Sequence, residues 1–362
     1  MNDRERFHAT MNYQPVDRPI FMMPWMGFPG TAERWQSEGM PADGLTAWKT
    51  DVWQWHGGWF FPYPPFEREI IEEDDRHVLY INHEGILMRE LKDNPMSSMP
   101  QFVRFPVETV DDFRTFARTR LVPDVAPRIG GDWIGTLKHL RAQPGALFVI
   151  ADRWGGFFGP LRNLMGVENL CMAFYTEPAL VEEMMDTIAD YTIAMIGQIL
   201  DHIEIDCFGL WEDMAFNAGP LIGPDMVRKY MLPRYKRVVE YVKQRGVPWV
   251  CLDSDGQIDA LIPVFMDAGI DLLYPFEVAA GMDVNAVRKK YGKTLRMYGG
   301  LDKRPLTKGP EAIDKEIERV LPLIEEGGYI PNIDHSLPPD ISYDNFCYYM
   351  DKMADALAVR WA

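Results

Sequence analysis

The sequence is poor in positive charge and has no long apolar run. Its 362 residues carry 37 Lys and Arg against 54 Asp and Glu, which leaves a net charge of -17. Binding to nucleic acid or to an anionic membrane surface needs a surplus of Lys and Arg, so this composition argues against both kinds of partner. No apolar stretch approaches the roughly 18 residues that span a bilayer, so we predict no membrane segment.

Cysteine is also scarce, and three sequence signals are absent. The four cysteines are widely spaced and form no C-x-x-C pair, which predicts reduced thiols rather than a disulfide framework. The charged start at residues 1–6 has no apolar core behind it, so we expect no signal peptide and a cytoplasmic location. No G-x-G-x-x-G follows a predicted strand, which disfavours a dinucleotide-binding sheet.

What the sequence does contain, from about residue 145 onward, is an alternation of short apolar runs and amphipathic helical patterns. Repeated strand-then-helix units predict a parallel sheet with helices outside it. With an earlier strand at residues 19–23, the count favours an α/β fold of the (β/α)8 TIM-barrel type. The hydrophobic content of 47% is sufficient for one large core, so we predict a single domain over residues 1–362.

Residues 24–130 do not follow this alternation, and we predict that they form an insertion. Residues 69–91 have the pattern of an antiparallel meander with two turns. Residues 48–66 hold four of the eleven tryptophans within twelve positions. These rings are expected to pack on the barrel; the alternative is a lid or docking face, compatible with a homodimer.

Two strand ends carry side chains that bind metal ions. Asp253 and Asp255 follow the apolar run at 248–252, and His335 follows the run at 329–333. In a parallel barrel the carboxyl ends of the strands form the functional rim. Residues i and i+2 of an extended segment point the same way, so we expect both aspartates to face one centre, where a cation relieves their repulsion. We therefore predict a metal site of Asp253, Asp255 and His335.

Other strand ends add candidates with less specific signals. Glu212 and Glu277 each follow an apolar run, and we predict a catalytic or metal-ligating role for both, the alternative for Glu277 being a loop cap. Arg153 and Trp154 are expected to bind a carboxylate or aromatic ring of a substrate, although an ion pair of Arg153 with Asp152 fits equally well. Tyr298 lies at the rim too and is expected to contact the substrate.

Several motifs, in the right order along nearly the whole chain, resemble the uroporphyrinogen decarboxylase superfamily. They lie at residues 3–6, 15–19, 159–169, 219–224 and 338–340. The resemblance implies a (β/α)8 barrel. The decarboxylase itself carries a P-x-W-F-M-R-Q-A-G-R pattern after its first strand, with arginines that hold porphyrin carboxylates. Here residues 23–30 read MPWMGFPG, so we expect no tetrapyrrole decarboxylation.

The sequence is more similar to the cobalamin-dependent methyltransferase branch of that superfamily. The zinc motif His-x-Cys-Gly of that branch falls on residues 253–256, and its later cysteine falls on His335. Carboxylate and imidazole thus replace thiolate, which favours an oxygen ligand over a sulfur ligand on the metal. The resemblance therefore implies an O-demethylase type of enzyme.

The resulting prediction is a zinc-dependent methyltransferase that moves a methyl group from an O-methylated small molecule to the reduced corrinoid of a partner protein. Mn²⁺ or Fe²⁺ are alternatives to Zn²⁺ at a carboxylate-rich site. No Asp-x-His-x-x-Gly stretch is present, so the corrinoid is expected on a separate protein. The alternatives are a metal-dependent hydrolase or lyase, and a non-catalytic barrel that binds a ligand or a corrinoid protein.

Overall fold

The computed structural model describes residues 1–42, 45–92 and 100–358. Its main sheet consists of seven parallel strands, which curl into an open barrel. In order across the sheet these are β1 (Gln54–His56), β6 (Leu147–Ile150), β7 (Cys207–Trp211), β10 (Trp249–Asp253), β11 (Leu272–Tyr274), β12 (Arg296–Tyr298) and β13 (Tyr329–Ile330). The predicted α/β barrel is thereby confirmed.

An extended segment without strand pairing takes the place of the predicted strand at residues 19–23. The Phe21 carbonyl accepts the Asp51 N–H at 2.7 Å, and the Met23 carbonyl accepts the Asn332 side-chain amide at 3.4 Å. Pro19 and Pro24 bound the segment and have no N–H to donate to a ladder. The segment therefore runs between the two ends of the sheet through isolated contacts.

Helices pack around the outside of the sheet, and most connect successive strands. None of those described is both long enough and apolar enough to cross a membrane. The helices are α1 (Asp3–Met11), α2 (Pro29–Ser37), α3 (Val110–Arg120), α4 (Ala126–Ile129), α5 (Trp133–Ala142), α6 (Phe158–Met165), α7 (Val167–Thr176), α8 (Pro178–Leu200), α9 (Pro224–Met226), α10 (Leu232–Gln244), α11 (Ile262–Asp267), α12 (Val284–Tyr291), α13 (Pro310–Glu326) and α14 (Tyr343–Ala356).

The apolar side chains form two separate cores because strand residues alternate between the two faces of the sheet. The larger core lies between the strands and the helices. The smaller core fills the barrel interior and includes Phe148, Cys207, Cys251 and Tyr274. Helix α1 contributes Phe7 to this interior, where its ring lies 5.1 Å from that of Phe148. The interior is thus packed, and the open end of the barrel is the end where the strands terminate.

A second sheet of four antiparallel strands lies beside the barrel. Its strands are β2 (Glu69–Glu73), β3 (His77–Ile81), β4 (Leu87–Leu91) and β5 (Gln101–Arg104). The first three confirm the predicted meander. The strand β1, however, also lies inside residues 24–130 and pairs with Leu147–Val149 of the barrel. The extent of an insertion therefore stays a prediction.

A short hairpin, β8 (Ala215–Phe216) and β9 (Gly219–Pro220), follows β7. It packs against the loop that follows β10, because Gln257 donates its backbone N–H to the Phe216 carbonyl at 2.9 Å. The hairpin thus supports the loop that carries Asp255.

Candidate active site

Strand β10 and the loop that follows it deliver the two aspartates to the barrel rim. The strand includes Asp253 as its last residue, so this side chain continues the inward alternation of Trp249 and Cys251. The chain then leaves the strand and turns at Gly256, whose φ of 80° favours glycine. A Cβ at Gly256 would lie 2.3 Å from the Ala215 carbonyl oxygen, so the turn also needs glycine for close packing.

Asp255, Glu277 and His335 come together at this rim, and their ligand atoms all lie within 4.8 Å of one another. His335 Nε2 lies 3.3 Å from Asp255 Oδ2, and the Gly256 N–H donates to Glu277 Oε2 at 2.9 Å. The hydrogen bond to Asp255 raises the pKa of the His335 imidazole above its ordinary value. Asp255 and His335 are each about one third exposed, so the group is accessible from solvent.

The loop after β11 holds Glu277 in place through an unusual backbone conformation. Phe276 has a φ of 61°, which is rare for a bulky side chain and marks local strain of the kind that surrounds functional sites. The buried carboxylate of Asp334 accepts the Val278 N–H at 2.9 Å. Burial raises the pKa of Asp334. Asp334 therefore fixes the loop that carries Glu277, although its sequence position beside His335 indicated no role.

Asp253 is not part of the three-residue group, although the sequence pattern placed it there. Strand β10 ends at Asp253, so the loop that follows, and not the strand alternation, places Asp255. Burial, followed by the nearby charge of Asp255, raises the pKa of Asp253 well above its ordinary value. Its role as a metal ligand stays a prediction.

Glu212 lies beneath the rim and is fully buried. Its carboxylate accepts the backbone N–H groups of Phe157, Phe158 and Gly159 at 2.7 to 2.9 Å, and the Tyr235 hydroxyl also donates to it. Burial raises its pKa to about 7, and the four donors oppose that rise. Through these hydrogen bonds, Glu212 stabilises the start of α6. Glu212 does not belong to the metal-ligand group of Asp255, Glu277 and His335 among the described residues.

Arg153 is at the rim, whereas Trp154 is not. Arg153 Nη2 lies 3.3 Å from the buried carboxylate of Glu84 and donates to Asn163 Oδ1 at 3.1 Å. Trp154 is fully buried in the outer core, with its ring stacked on Phe116 at 5.8 Å. Residues Asp152–Trp154 form a single 3-10 turn after β6, and this turn carries the Trp154 side chain into the outer core rather than to the rim.

Aromatic rings line the mouth of the barrel. We call Trp25, Trp55, Tyr274 and Tyr298 the aromatic wall. The Trp25 ring lies 5.0 Å from Tyr298 and 6.2 Å from Tyr274, and Trp55 lies 5.7 Å from Tyr274. Tyr298 is only 2% exposed, so it is the buried member of the wall, against which Trp25 packs. The period-two spacing of Trp53 and Trp55 is the sequence signal of a strand with one aromatic face.

The Glu84–Arg153 contact joins the antiparallel sheet to the barrel rim and can be tested. Because Glu84 is only 3% exposed, Glu84→Ala is expected to lower the free energy of unfolding by about 1–2 kcal/mol. This loss is smaller than for a fully buried ion pair, since Arg153 is partly exposed. Urea unfolding measures this, and limited proteolysis is expected to cut within residues 69–104 sooner. Glu72→Ala, an exposed carboxylate in the same sheet, serves as the control. Equal stability of the two variants would contradict the prediction.

Sequence comparison identifies the protein family of this chain. The family model described as uroporphyrinogen decarboxylase (URO-D) matches residues 120–355. The chain belongs to the uroporphyrinogen decarboxylase family. A uroporphyrinogen decarboxylase of Rhodococcus erythropolis (strain PR4 / NBRC 100887) is 31% identical over 249 residues, which cover 63% of this chain and 64% of that protein. The Homo sapiens enzyme is 25% identical over 189 residues, which cover 49% of this chain and 47% of the human protein. The chain thus matches less than two thirds of the length of these relatives.

A solved structure supports the uroporphyrinogen decarboxylase-like fold over nearly the full length. A methyltransferase from Methanosarcina mazei superposes with a TM-score of 0.61 and covers 98% of this chain and 99% of its own. The sequence identity is 14%, so the likeness concerns the fold alone. The superposition also covers the region before residue 120, which the family model does not match, so the shared fold includes that region.

Proposed function

We propose that this chain is a metal-dependent methyltransferase that removes a methyl group from an O-methylated small molecule and passes it to the corrinoid of a separate protein. The observation that carries the proposal is the group of Asp255, Glu277 and His335. The family assignment and the methyltransferase with the same fold are consistent with it, and neither identifies the substrate.

The three side chains fit a resident zinc ion by their chemistry. Two carboxylates and one imidazole are ligands that Zn²⁺ accepts in catalytic sites, where a fourth position stays open for water or substrate. Their ligand atoms lie within 4.8 Å of one another, close enough to share one ion after small side-chain movements. When bound, the metal would supply Lewis acidity that draws charge from an ether oxygen.

The remaining residues position this group and the substrate. The Gly256 N–H holds Glu277 Oε2 at 2.9 Å, and Asp334 fixes the following backbone, so that the carboxylate is oriented before a ligand arrives. The aromatic wall consists of rings tilted against one another, and Trp55, at 40% exposed, offers the largest accessible apolar surface on it. A methoxylated aromatic ring would be held there by contacts with these rings.

Decarboxylation of a tetrapyrrole is less compatible with the same rim. By resemblance, the decarboxylase holds porphyrin carboxylates with arginines located where this chain has residues 23–30. That segment contains no arginine here. It contributes Trp25 to the aromatic wall instead, and the Trp25 carbonyl accepts the Leu337 N–H at 3.0 Å, which attaches the segment to the loop after His335.

The test is metal content followed by methyl transfer. We expect about one zinc per chain in protein purified without chelator or histidine tag, measured by mass spectrometry. We then expect methylated cobalamin to form from chemically reduced cobalamin and a methoxylated arene, followed by its visible absorption spectrum. Reactions without reduced cobalamin or without the methyl donor serve as controls.

The other outcomes separate the alternatives. Release of methanol without reduced cobalamin would overturn the proposal in favour of a metal-dependent hydrolase. A metal-loaded protein that transfers no methyl from any ether would overturn it in favour of a lyase or of a barrel that only binds a ligand or a corrinoid protein. Absence of bound metal would remove the observation on which the proposal rests.

A further inference from the structure

A cavity of about 250 Å³ lies beside the antiparallel sheet, where three segments of the chain meet. The segment after β1, the turn between β3 and β4, and the helix α4 all contribute to its wall. The lining residues include Phe61, Pro62, Tyr63, Glu84, Pro127 and Arg128. None of these belongs to the metal-ligand group, so the cavity is a candidate for a second binding site.

Most of the cavity wall is apolar, and its size limits the ligand. Two aromatic rings and several prolines line it, and the ring of Tyr63 is 41% exposed. Such walls require a ligand with an apolar body. Small-molecule sites usually enclose about 300–1,000 Å³, so this cavity is at the small end of the range. It therefore accepts a single ring and excludes a ligand as large as a tetrapyrrole or a corrinoid.

Arg128 is a cation in this wall without a counter-ion. Its Nε donates to the Phe61 carbonyl at 2.9 Å, and its Nη1 donates to the Asp124 carbonyl. Its guanidinium carbon lies 5.6 Å from the centre of the Tyr63 ring. The Asp124 carboxylate accepts the Ala126 N–H at 3.1 Å instead. Among the residues that the structure describes, no carboxylate forms an ion pair with Arg128. Neutral groups thus hold the guanidinium in place, and its charge stays uncompensated.

The other charged groups of the wall do not change this balance. The carboxylate of Glu84 is only 3% exposed and lies 3.3 Å from Arg153 Nη2, so its negative charge is already paired. His83 also lines the cavity and adds positive charge when it is protonated. The wall therefore carries a net positive charge. In a mostly apolar cavity such a charge attracts an anion and repels an ammonium group.

We propose that this cavity binds a small aromatic carboxylic acid, with its carboxylate on Arg128 and its ring against Tyr63 and the prolines. A planar guanidinium matches the geometry of a carboxylate, and charge-assisted hydrogen bonds of this kind are strong. Inorganic phosphate lacks an apolar body that could cover the walls. The site is separate from the metal-ligand group, and neither the recognition nor its test depends on the proposed methyl transfer.

The test compares three matched ligands by isothermal titration of the wild-type protein. Benzoate, benzamide and benzylamine share one ring and differ in charge. EDTA is present, so that a carboxylate bound to a metal ion does not contribute. We expect benzoate to bind at least ~10-fold more tightly than benzamide, as one charge-assisted contact allows, and benzylamine to bind most weakly. Equal binding of benzoate and benzamide, or tighter binding of benzylamine, would overturn the proposal.

The Arg128→Met variant then locates the preference, because it keeps the length of the side chain and removes the charge. It is expected to bind benzoate and benzamide equally. Arg120→Met is the matched control and is expected to keep the preference. Arg120 also donates to a carbonyl of the same segment, that of Pro64, but it stacks on Phe66 at 3.6 Å outside this cavity. A preference that survives in Arg128→Met, or that is lost in both variants, would place the acid elsewhere and overturn the assignment.

A third variant tests the apolar wall and does not depend on the folding of Arg128→Met. Tyr63→Ala removes an exposed ring, and the backbone contact of Tyr63 with Arg120 does not require that side chain. It is expected to weaken benzoate and benzamide alike by about 5-fold, with the preference for benzoate retained. Unchanged affinities for both ligands would show that the ring does not line the occupied site, which would contradict the proposal.

Discussion

Glu212→Ala is expected to lower the free energy of unfolding by about 5 kcal/mol, measured in guanidinium chloride. The substitution leaves three buried backbone N–H groups and the Tyr235 hydroxyl without an acceptor, and it opens a cavity beneath α6. Each buried donor left unpaired costs about 1–3 kcal/mol, and the cavity adds to that cost. Glu204→Ala, whose side chain is 89% exposed before the same strand, is the control and is expected to change stability by less than ~0.5 kcal/mol. A loss below ~1 kcal/mol in Glu212→Ala would show that the loop finds other partners.

The same carboxyl group predicts a pH dependence with a definite sign. Its pKa is about 7 in the folded protein against an ordinary value of 4.5, so the folded state holds the proton more tightly. The protonated Glu212 side chain therefore contributes to the free energy of unfolding. This contribution is fully present below about pH 4.5 and is lost as pH rises toward 7. Glu212→Gln cannot titrate, so the stability difference between wild type and this variant is expected to shrink over that interval. A difference that grows with pH would mean that the four donors keep Glu212 ionised.

Part of the fold could be read directly from the sequence because the relevant signals are local. The helix Pro310–Glu326, for example, begins at a proline after a glycine and ends before two further glycines, which are local signals of a helix start and end. The segment at residues 19–23 has strand-like composition, but ladder formation depends on neighbours that are distant in sequence. The strand Gln54–His56 has only three residues; Trp53, just before it, packs against the barrel interior, and Trp55 within it is 40% exposed. Such a strand is defined by its partner Leu147–Val149, which no local pattern identifies.

For the candidate site, the sequence indicated the rim but not the grouping of side chains. Asp255, Glu277 and His335 all follow predicted strands, and barrel geometry alone places them on one edge. Which of them meet depends on loop conformations such as the positive φ of Phe276 and the turn at Gly256. Glu212 shows the reverse case: it also ends a strand, yet the backbone of α6 folds over it. A position at a strand end therefore predicts that a side chain lies near the rim, and the conformation of the loops determines which of these side chains contact one another.

Removal of one member of the metal-ligand group is expected to weaken zinc binding by about 100-fold or more. A three-residue site that loses a charged ligand exchanges it for water, and ligand number and charge set the affinity for such ions. Asp255→Ala, Glu277→Ala and His335→Ala are each compared with wild type by competition against a fluorescent zinc chelator. The same variants are expected to lose methyl transfer to reduced cobalamin in parallel with their zinc.

The controls for this experiment separate ligand loss from loop damage. Asp302→Asn changes a rim carboxylate outside the group and is expected to keep wild-type affinity. Glu277→Gln retains an acceptor for the Gly256 N–H, so it preserves the loop while removing one negative charge from the site. If Glu277→Gln binds zinc as wild type does and Glu277→Ala does not, Glu277 acts on the loop, and the site reduces to Asp255 and His335. If all three alanine variants retain zinc, the ion is held elsewhere, and the link between this group and methyl transfer no longer holds.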